Sequence, residues 1–308
     1  MQKVHESLLQ WYEEQGRHSL LWRNTQDIYH IYLSEVMLQQ TQVSRVEQEY
    51  YPQFLEKFPT LEVLANASLD EVLASWSGLG YYSRARNLHA TAKLASKGLP
   101  SKLDELMKLP GIGRYTASAV CSFGYNQNVT VVDTNIARVI KRFFALLDTD
   151  EKDIWKHAEQ LLNHQNPRSH NLALMDLGSM ICLPKDPKCK ECPLEFVCKG
   201  KNEAEVYTAN KKKEYETMEL FYGLCVKNGK IALTFSKGSM YKNMLELPNV
   251  EPIEENLLGV FKHSYTKYRL NVHLYKLDEI AQDTQWYKLD EIENAPISSL
   301  TKKALRFI

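Results

Sequence analysis

From the N-terminus to a cysteine-rich stretch, apolar residues recur three and four apart, the spacing that lines one face of a helix. Residues 3–15 carry Leu8, Leu9 and Trp11. After a turn at Asn24-Thr25, a second helix resumes near Asp27 with Ile28, Ile31, Tyr32, Val36 and Leu38. The pattern stays helical from Val43 to Ser96, with fresh starts at Pro59 and at Ser68, an N-cap before Leu69-Asp70-Glu71. Ile136, Val139, Ile140, Phe143 and Phe144 line one face of a later helix, which leaves Arg138, Lys141 and Arg142 outside. Two more helices are predicted at 151–163 and 169–181. Residues 199–217, KGKNEAEVYTANKKKEYET, are charged and read as a linker. Beyond them the period changes: LFYGLCV, KIALTF and LNVHLYKL are strand-like runs separated by Asn-Gly or Lys-Gly turns. The pattern predicts a helical domain over 1–198, the linker, and an α+β domain over 218–308.

Residues 103–123 organise the first domain. Leu103, Leu106 and Leu109 give a helix that Pro110 stops, and a small-residue helix runs from Arg114 to Phe123. Gly111 and Gly113 sit in the turn between, where backbone N–H groups at a helix start suit a phosphate oxygen. Close packing of two helices is the plainer use of such glycines. An apolar run follows and ends on Asp133, placed where a helix N-cap also stands.

Composition adds little to this picture. The chain has 308 residues, 44% hydrophobic and 25% charged, with a formal net charge of zero. Any nucleic-acid surface must then be a local patch. Arg84, Arg86, Lys93, Lys97, Lys102, Lys108 and Arg114 form one such run. No apolar run reaches membrane-spanning length, and the N-terminal helix holds acids unlike a signal peptide, so a cytoplasmic location is expected.

Three further features carry chemistry. Glu35 sits in SEVMLQQT, where apolar neighbours leave little polar face. Burial there would raise its pKa and let it donate a proton near neutrality. WSGLGYYSRARNLH puts Tyr81 and Tyr82 beside a glycine turn, a setting that suits core packing as well as a wedge. Of six cysteines, Cys182, Cys189, Cys192 and Cys198 stand as C-x6-C-x2-C-x5-C, while Cys121 and Cys225 read as small core residues. Four thiols so close together bind a metal in a reducing compartment. Zinc accepts four sulfurs, although one isolated C-x2-C is not the paired spacing of zinc ribbons.

LPGIGRYTASAV followed by VVDTN resembles the helix-hairpin-helix and Asp signature of the endonuclease III superfamily of DNA base glycosylases. SEVMLQQTQ and WSGLGYYSRARNLH narrow the likeness to the MutY-type adenine glycosylases. The resemblance implies a mostly α helix-hairpin-helix glycosylase with a 4Fe–4S cluster loop over 182–198, plus a C-terminal α+β Nudix-like domain that reads the lesion. It implies that Glu35 protonates adenine, that Asp133 stabilises the sugar cation, and that Asn135 and Tyr115 support the acids. Leu20, Trp22 and Arg23 would line the adenine pocket. Gln40, Thr41 and Tyr81 would fill or wedge the stack, with Gly111, Gly113 and Arg114 gripping the backbone. One 4Fe–4S cluster would be held by Cys182, Cys189, Cys192 and Cys198.

The activity so implied is monofunctional removal of adenine opposite 8-oxoguanine or guanine, by a retaining double displacement. Position 115 supports the absence of strand cleavage, because tyrosine cannot form a Schiff base as a lysine there would. Double-stranded DNA with a mispaired adenine is the expected partner of a monomeric protein. A thymine-mismatch glycosylase and a non-catalytic lesion binder are the alternatives. Several residues depart from the family pattern: Leu172 for a polar adenine contact, Leu21 for a proline, Asn243 for a glycine, and Tyr265, Thr266 and Lys267 for the usual Phe-Ser-His that meets 8-oxoguanine. No hydrolase box of the Nudix type is visible, so no hydrolase activity is assigned to the second domain.

Overall fold

The structure is a computed structural model. It describes residues 1–208, 214–238, 240–242, 244–252, 254–279, 284–292 and 295–308, so Asn243 lies outside the described residues. The chain forms two compact units, Met1–Glu62 with Ala90–Lys211, and Val63–His89 with Lys212–Ile308.

The first unit is helical. Helix Gln2–Gln15 buries Val4, Leu8, Trp11 and Tyr12, four residues of one stripe. They join a core built with Ile136, Val139, Ile140 and Phe143 of helix Thr134–Phe144 and with Leu172, Leu174 and Leu177 of helix Pro167–Met180. Helix Ile28–Leu38 starts on Asp27, whose carboxylate accepts the His30 N–H, and is buried continuously from Ile31 to Met37. A helix apolar all round belongs inside, and this one carries Glu35 into the interior. The hairpin is tighter at its start than the leucine spacing predicts. Helix Leu103–Leu106 spans a single turn before Pro110, whose carbonyl accepts the Thr91 hydroxyl at 3.1 Å. Gly111 has φ 72°, so a left-handed residue is needed here. Helix Arg114–Ala119 follows and widens into a π-turn over Val120–Gly124.

One sequence expectation is overturned. Arg142 is 1% exposed rather than facing solvent. Its guanidinium donates to the carbonyls of Ala204, Leu183 and Pro184 at 2.7, 2.6 and 3.0 Å. Arg138 is half-buried and donates to the Cys182 carbonyl at 2.7 Å. The loop that folds over this end of the helix comes from 40 residues further on, which no local period records. In the charge-rich stretch that follows, Gly200 N–H donates to the Arg142 carbonyl at 2.8 Å, and Lys201–Thr208 form 3₁₀ turns kinked at Glu203.

The second unit pairs strand Glu216–Leu224 parallel with Tyr268–Lys276, which pairs antiparallel with Leu257–Tyr265. A second sheet joins Val226–Lys227, Lys230–Phe235, Leu245–Glu246 and Gln285–Lys288. The three strand-like runs read in the sequence are all strands here. Cys225 is fully buried in this unit, as Cys121 is in the first. Residues 63–89 fold with these strands. Ser77 and Tyr82 both donate to the Ile297 carbonyl, at 3.4 and 3.5 Å, and Arg86 donates to the Lys242 carbonyl at 2.8 Å. Ser68 caps helix Leu69–Ser75 in a reciprocal box with Glu71.

Candidate active site

A cleft of about 690 Å³ opens in the first unit, lined by residues from both ends of the chain's first two hundred positions. Leu20, Trp22, Arg23, Glu35, Gln40, Thr41, Tyr115, Asp133 and Asn135 all line it. The structure thus gathers in one place the acids and pocket residues that the sequence scatters over more than a hundred positions. Its volume lies in the ordinary range of small-ligand clefts.

Glu35 reaches the cleft from the buried helix and is 6% exposed. Tyr115, one residue into the hairpin's second helix, donates its hydroxyl to Glu35 Oε2 at 2.5 Å. Burial pushes the Glu35 carboxyl up to about 7. The Tyr115 bond and the Arg23 charge pull it down, and the like charge of Asp133 pushes it further up. A carboxyl so placed is about half protonated at neutral pH, the condition for a general acid.

Asp133 caps helix Thr134–Phe144. Its Oδ1 accepts the Ile136 N–H at 2.7 Å, and its Oδ2 accepts the Asn135 amide at 3.0 Å. Burial raises its pKa, while these donors hold it down. The N-cap role and the cleft role therefore coincide in one side chain. Asn135 is itself fixed by the Arg138 guanidinium at 2.9 Å, which also donates to the Gly178 carbonyl at 2.5 Å. Helix Pro167–Met180 crosses here without a side chain at Gly178: a Cβ would lie 2.7 Å from the Asn135 Cβ.

Several lining residues carry no motif and are missed from sequence, among them Arg17, Trp155, Met175 and Ser179. Arg17 and Arg23 both bind Asp176, at 2.7 and 3.1 Å, and Asp176 is fully buried. Arg17 Nε also donates to it at 2.8 Å, and the Arg17 backbone N–H at 2.9 Å. Asp176 thereby anchors Arg23 at the cleft wall. An acid inside the apolar string LALMDLG is the signal that marks it, since a buried carboxylate requires partners. Leu172, one turn earlier, is 6% exposed and packs in the core outside this lining.

Gln40 and Tyr81 share an unusual backbone. Both are non-glycine residues in the left-handed region, at φ 57° and 49°. Such residues cost about 1–3 kcal/mol and gather at functional sites. Tyr81 belongs to the second unit, with the Arg84 guanidinium 5.4 Å over its ring. Gly113 and Arg114 are exposed at the hairpin. Thr266 and Lys267 form the turn between strands Leu257–Tyr265 and Tyr268–Lys276, with Thr266 at φ 51°. Lys267 pairs with Glu216, and the Tyr265 ring packs 4.7 Å from Tyr241.

Cys182, Cys189, Cys192 and Cys198 line one small cavity with Arg142, Ile181, Glu195, Lys201 and Ala204. The Arg142 guanidinium lies 3.3 Å from Cys182 Sγ. Among the described residues no three His, Cys, Asp or Glu side chains converge tightly enough for a single metal ion. The four thiols line the same cavity and are the protein groups there that could hold a metal centre.

Comparison with known proteins agrees with this geometry. The family described as HhH-GPD superfamily base excision DNA repair protein matches residues 33–164, the span that holds Glu35, the hairpin and Asp133. That family is one of base-excision DNA repair proteins, and most of its span falls in the helical unit that holds the cleft. The adenine DNA glycosylase of Buchnera aphidicola subsp. Schizaphis graminum is 30% identical over 336 aligned positions, which cover 97% of this chain and 96% of that one. The chain belongs to the adenine DNA glycosylase family. A second relative, the adenine DNA glycosylase of Buchnera aphidicola subsp. Baizongia pistaciae, is 40% identical over 216 residues, 68% of this chain and 61% of that protein's length. Among solved structures, a thermostable thymine-DNA glycosylase matches with a TM-score of 0.60 and 28% identity, over 66% of this chain and 98% of that one. No helix among the described residues is long and apolar enough to cross a membrane.

Proposed function

We propose that this protein removes adenine mispaired with 8-oxoguanine or guanine in duplex DNA, without cutting the strand. The observation that carries the reading is Glu35: a buried carboxyl with its pKa near 7, sharing one cleft with a second acid, Asp133. N-glycosidic cleavage asks for that pair, one acid for the departing base and one carboxylate for the sugar cation.

The roles follow from the contacts. The base leaves more readily as its ring nitrogen takes the Glu35 proton. Asp133, held by Asn135 and the Ile136 N–H, faces the positive charge that develops at C1′. Collapse onto the Asp133 carboxylate, then attack by water with Glu35 as base, replaces the base by hydroxyl with retention. Tyr115 fixes the Glu35 carboxyl and offers no amine, so the aldehydic sugar is not captured as an imine and the phosphodiester survives. Arg23 presents its cation to the cleft from its anchor on Asp176. Gly111, Gly113 and Arg114 would take the backbone, Gln40, Thr41 and Tyr81 the space left in the stack, and the Tyr265-Thr266-Lys267 turn the base opposite.

The ring of four cysteines fits a 4Fe–4S cluster, held by Cys182, Cys189, Cys192 and Cys198. When bound, such a cluster supplies structural closure of the loop rather than hydrolysis. The lysines in and beside the loop, Lys185, Lys188, Lys190 and Lys199, would contact phosphate.

Single-turnover assays on duplexes with A:8-oxoG, A:G, T:G and A:T pairs test the reading, with Glu35→Gln as control. Adenine release from the first two, lost in the variant, is expected. Thymine release from T:G would favour the activity named in the thymine-DNA glycosylase likeness, and no release at all would leave a lesion binder. A covalent adduct trapped by borohydride in high yield would reject the monofunctional part. In aqueous methanol, a methyl glycoside of inverted configuration would reject double displacement.

A further inference from the structure

Trp155 has no part in the chemistry above, yet it lines the cleft. It lies on helix Glu151–Leu161, whose start is fixed by Asp150 accepting the Asp153 N–H at 2.8 Å. Trp155 is 6% exposed and lines the cleft beside Glu151 and Ile154. Its indole N–H donates to Glu151 Oε1 at 3.3 Å, which fixes the ring about its long axis. The Arg114 guanidinium lies 3.9 Å over the ring centroid.

We propose that Trp155 is a positioning residue that holds the Arg114 guanidinium at the cleft rim, aimed at the phosphate flanking the extruded nucleotide. The inference rests on the base-release reading, since it needs duplex DNA as the ligand. Arg114 opens the hairpin's second helix and is exposed. Just before it, Gly113 leaves open space where a Cβ would stand, so a ligand can approach the backbone N–H groups there. A carboxylate partner would neutralise the arginine. An aromatic face instead fixes its plane and leaves its charge and its N–H edge available to an anion. Arg114 pairs with no carboxylate among the described residues. The stack also removes in advance the rotamer freedom that a long side chain would lose on binding. The ring thus connects the wall of the base pocket with the grip on the strand.

Equilibrium binding to a duplex carrying a non-cleavable 2′-fluoro-adenosine opposite 8-oxoguanine, measured across salt concentrations, tests this. Arg114→Ala and Trp155→Leu are each expected to weaken binding about 3- to 30-fold. Each is also expected to lower the slope of log affinity against log salt by about one phosphate contact. The double variant is expected to lose little more than either single one, and Trp155→Phe to keep most of the wild-type affinity. Arg114→Lys, a cation without a planar face, is expected to lose affinity although the charge remains. A wild-type salt slope in Trp155→Leu, additive losses, or full affinity in Arg114→Lys would overturn the proposal. If Trp155→Leu does not fold, the Arg114→Lys and Trp155→Phe results decide alone. A wild-type protein that fails to bind this duplex would remove the base-release reading itself, and the proposal with it.

Discussion

Removing the Tyr115 hydroxyl tests the acid assignment directly. In Tyr115→Phe the 2.5 Å bond to Glu35 Oε2 disappears and the ring remains. That bond favours the ionised carboxylate, so it lowers a pKa that burial has raised to about 7. A hydrogen bond to a charged group contributes about 1.5–3 kcal/mol, and one pKa unit corresponds to about 1.4 kcal/mol. Water entering the vacated space recovers part of the loss, so the Glu35 pKa should rise by roughly one unit. A general acid works in its protonated form. The alkaline limb of kcat/KM for adenine release, which reports the free protein, should therefore move up in the variant. The variant then keeps a larger share of its own maximal rate at alkaline pH, even where that maximum has fallen. A limb that stays in place or moves down would refute the reasoning, because it would mean that Tyr115 does not stabilise the Glu35 anion.

Three other changes have defined outcomes. Gly178→Ala drives a methyl to 2.7 Å from the Asn135 Cβ, so Asn135 should lose its hold on Asp133 and base release should fall about tenfold or more with DNA affinity retained; a wild-type rate would show that the two helices part freely. Asp176→Asn leaves two arginines without their shared carboxylate, and urea titration should register a loss of about 3–5 kcal/mol, with a change under 1 kcal/mol refuting the anchoring role. His170 is fully buried, neither ring nitrogen meets a hydrogen-bond partner among the described residues, and burial with the neighbouring His5 and His164 lowers its pKa to about 3. The unfolded chain, with its histidine near 6.5, then binds more protons between those values, so the contribution is complete above about pH 6.5 and is lost as pH falls toward 3. Between pH 7 and 5 the wild type should lose roughly 2 kcal/mol more than His170→Leu, and equal slopes would show a protonated, solvated imidazole.

Periodicity reveals elements whose faces meet solvent on one side and neighbours on the other. Helices Gln2–Gln15 and Thr134–Phe144 are of that kind, and their apolar stripes are the observed core. Glu35 was legible because an acid without polar company is conspicuous in a continuous apolar run. Arg142 was not, since its burial depends on carbonyls of Leu183, Pro184 and Ala204 that approach from a later loop. Arg17 carries no local signal for the same reason: its partner Asp176 is 159 residues away. Leu172 shows how far a motif reaches without the fold. Its place beside a motif marks it as a lost polar contact with the base; the helix packs it in the core and presents Met175 and Ser179 to the cleft.

The assignment of residues 63–89 to the same body as the C-terminal strands means that the polypeptide leaves one unit, returns to it, and leaves again. A protease nick in the charged stretch at 199–217 would therefore not release two independent pieces. The N-terminal fragment would keep Ser77, Tyr82 and Arg86, while Ile297 and Lys242, their acceptors, would lie on the other. Such a nicked protein should migrate as one particle until denaturant separates it, and a chain shortened at that point would lose the support beneath the strained Tyr81 turn.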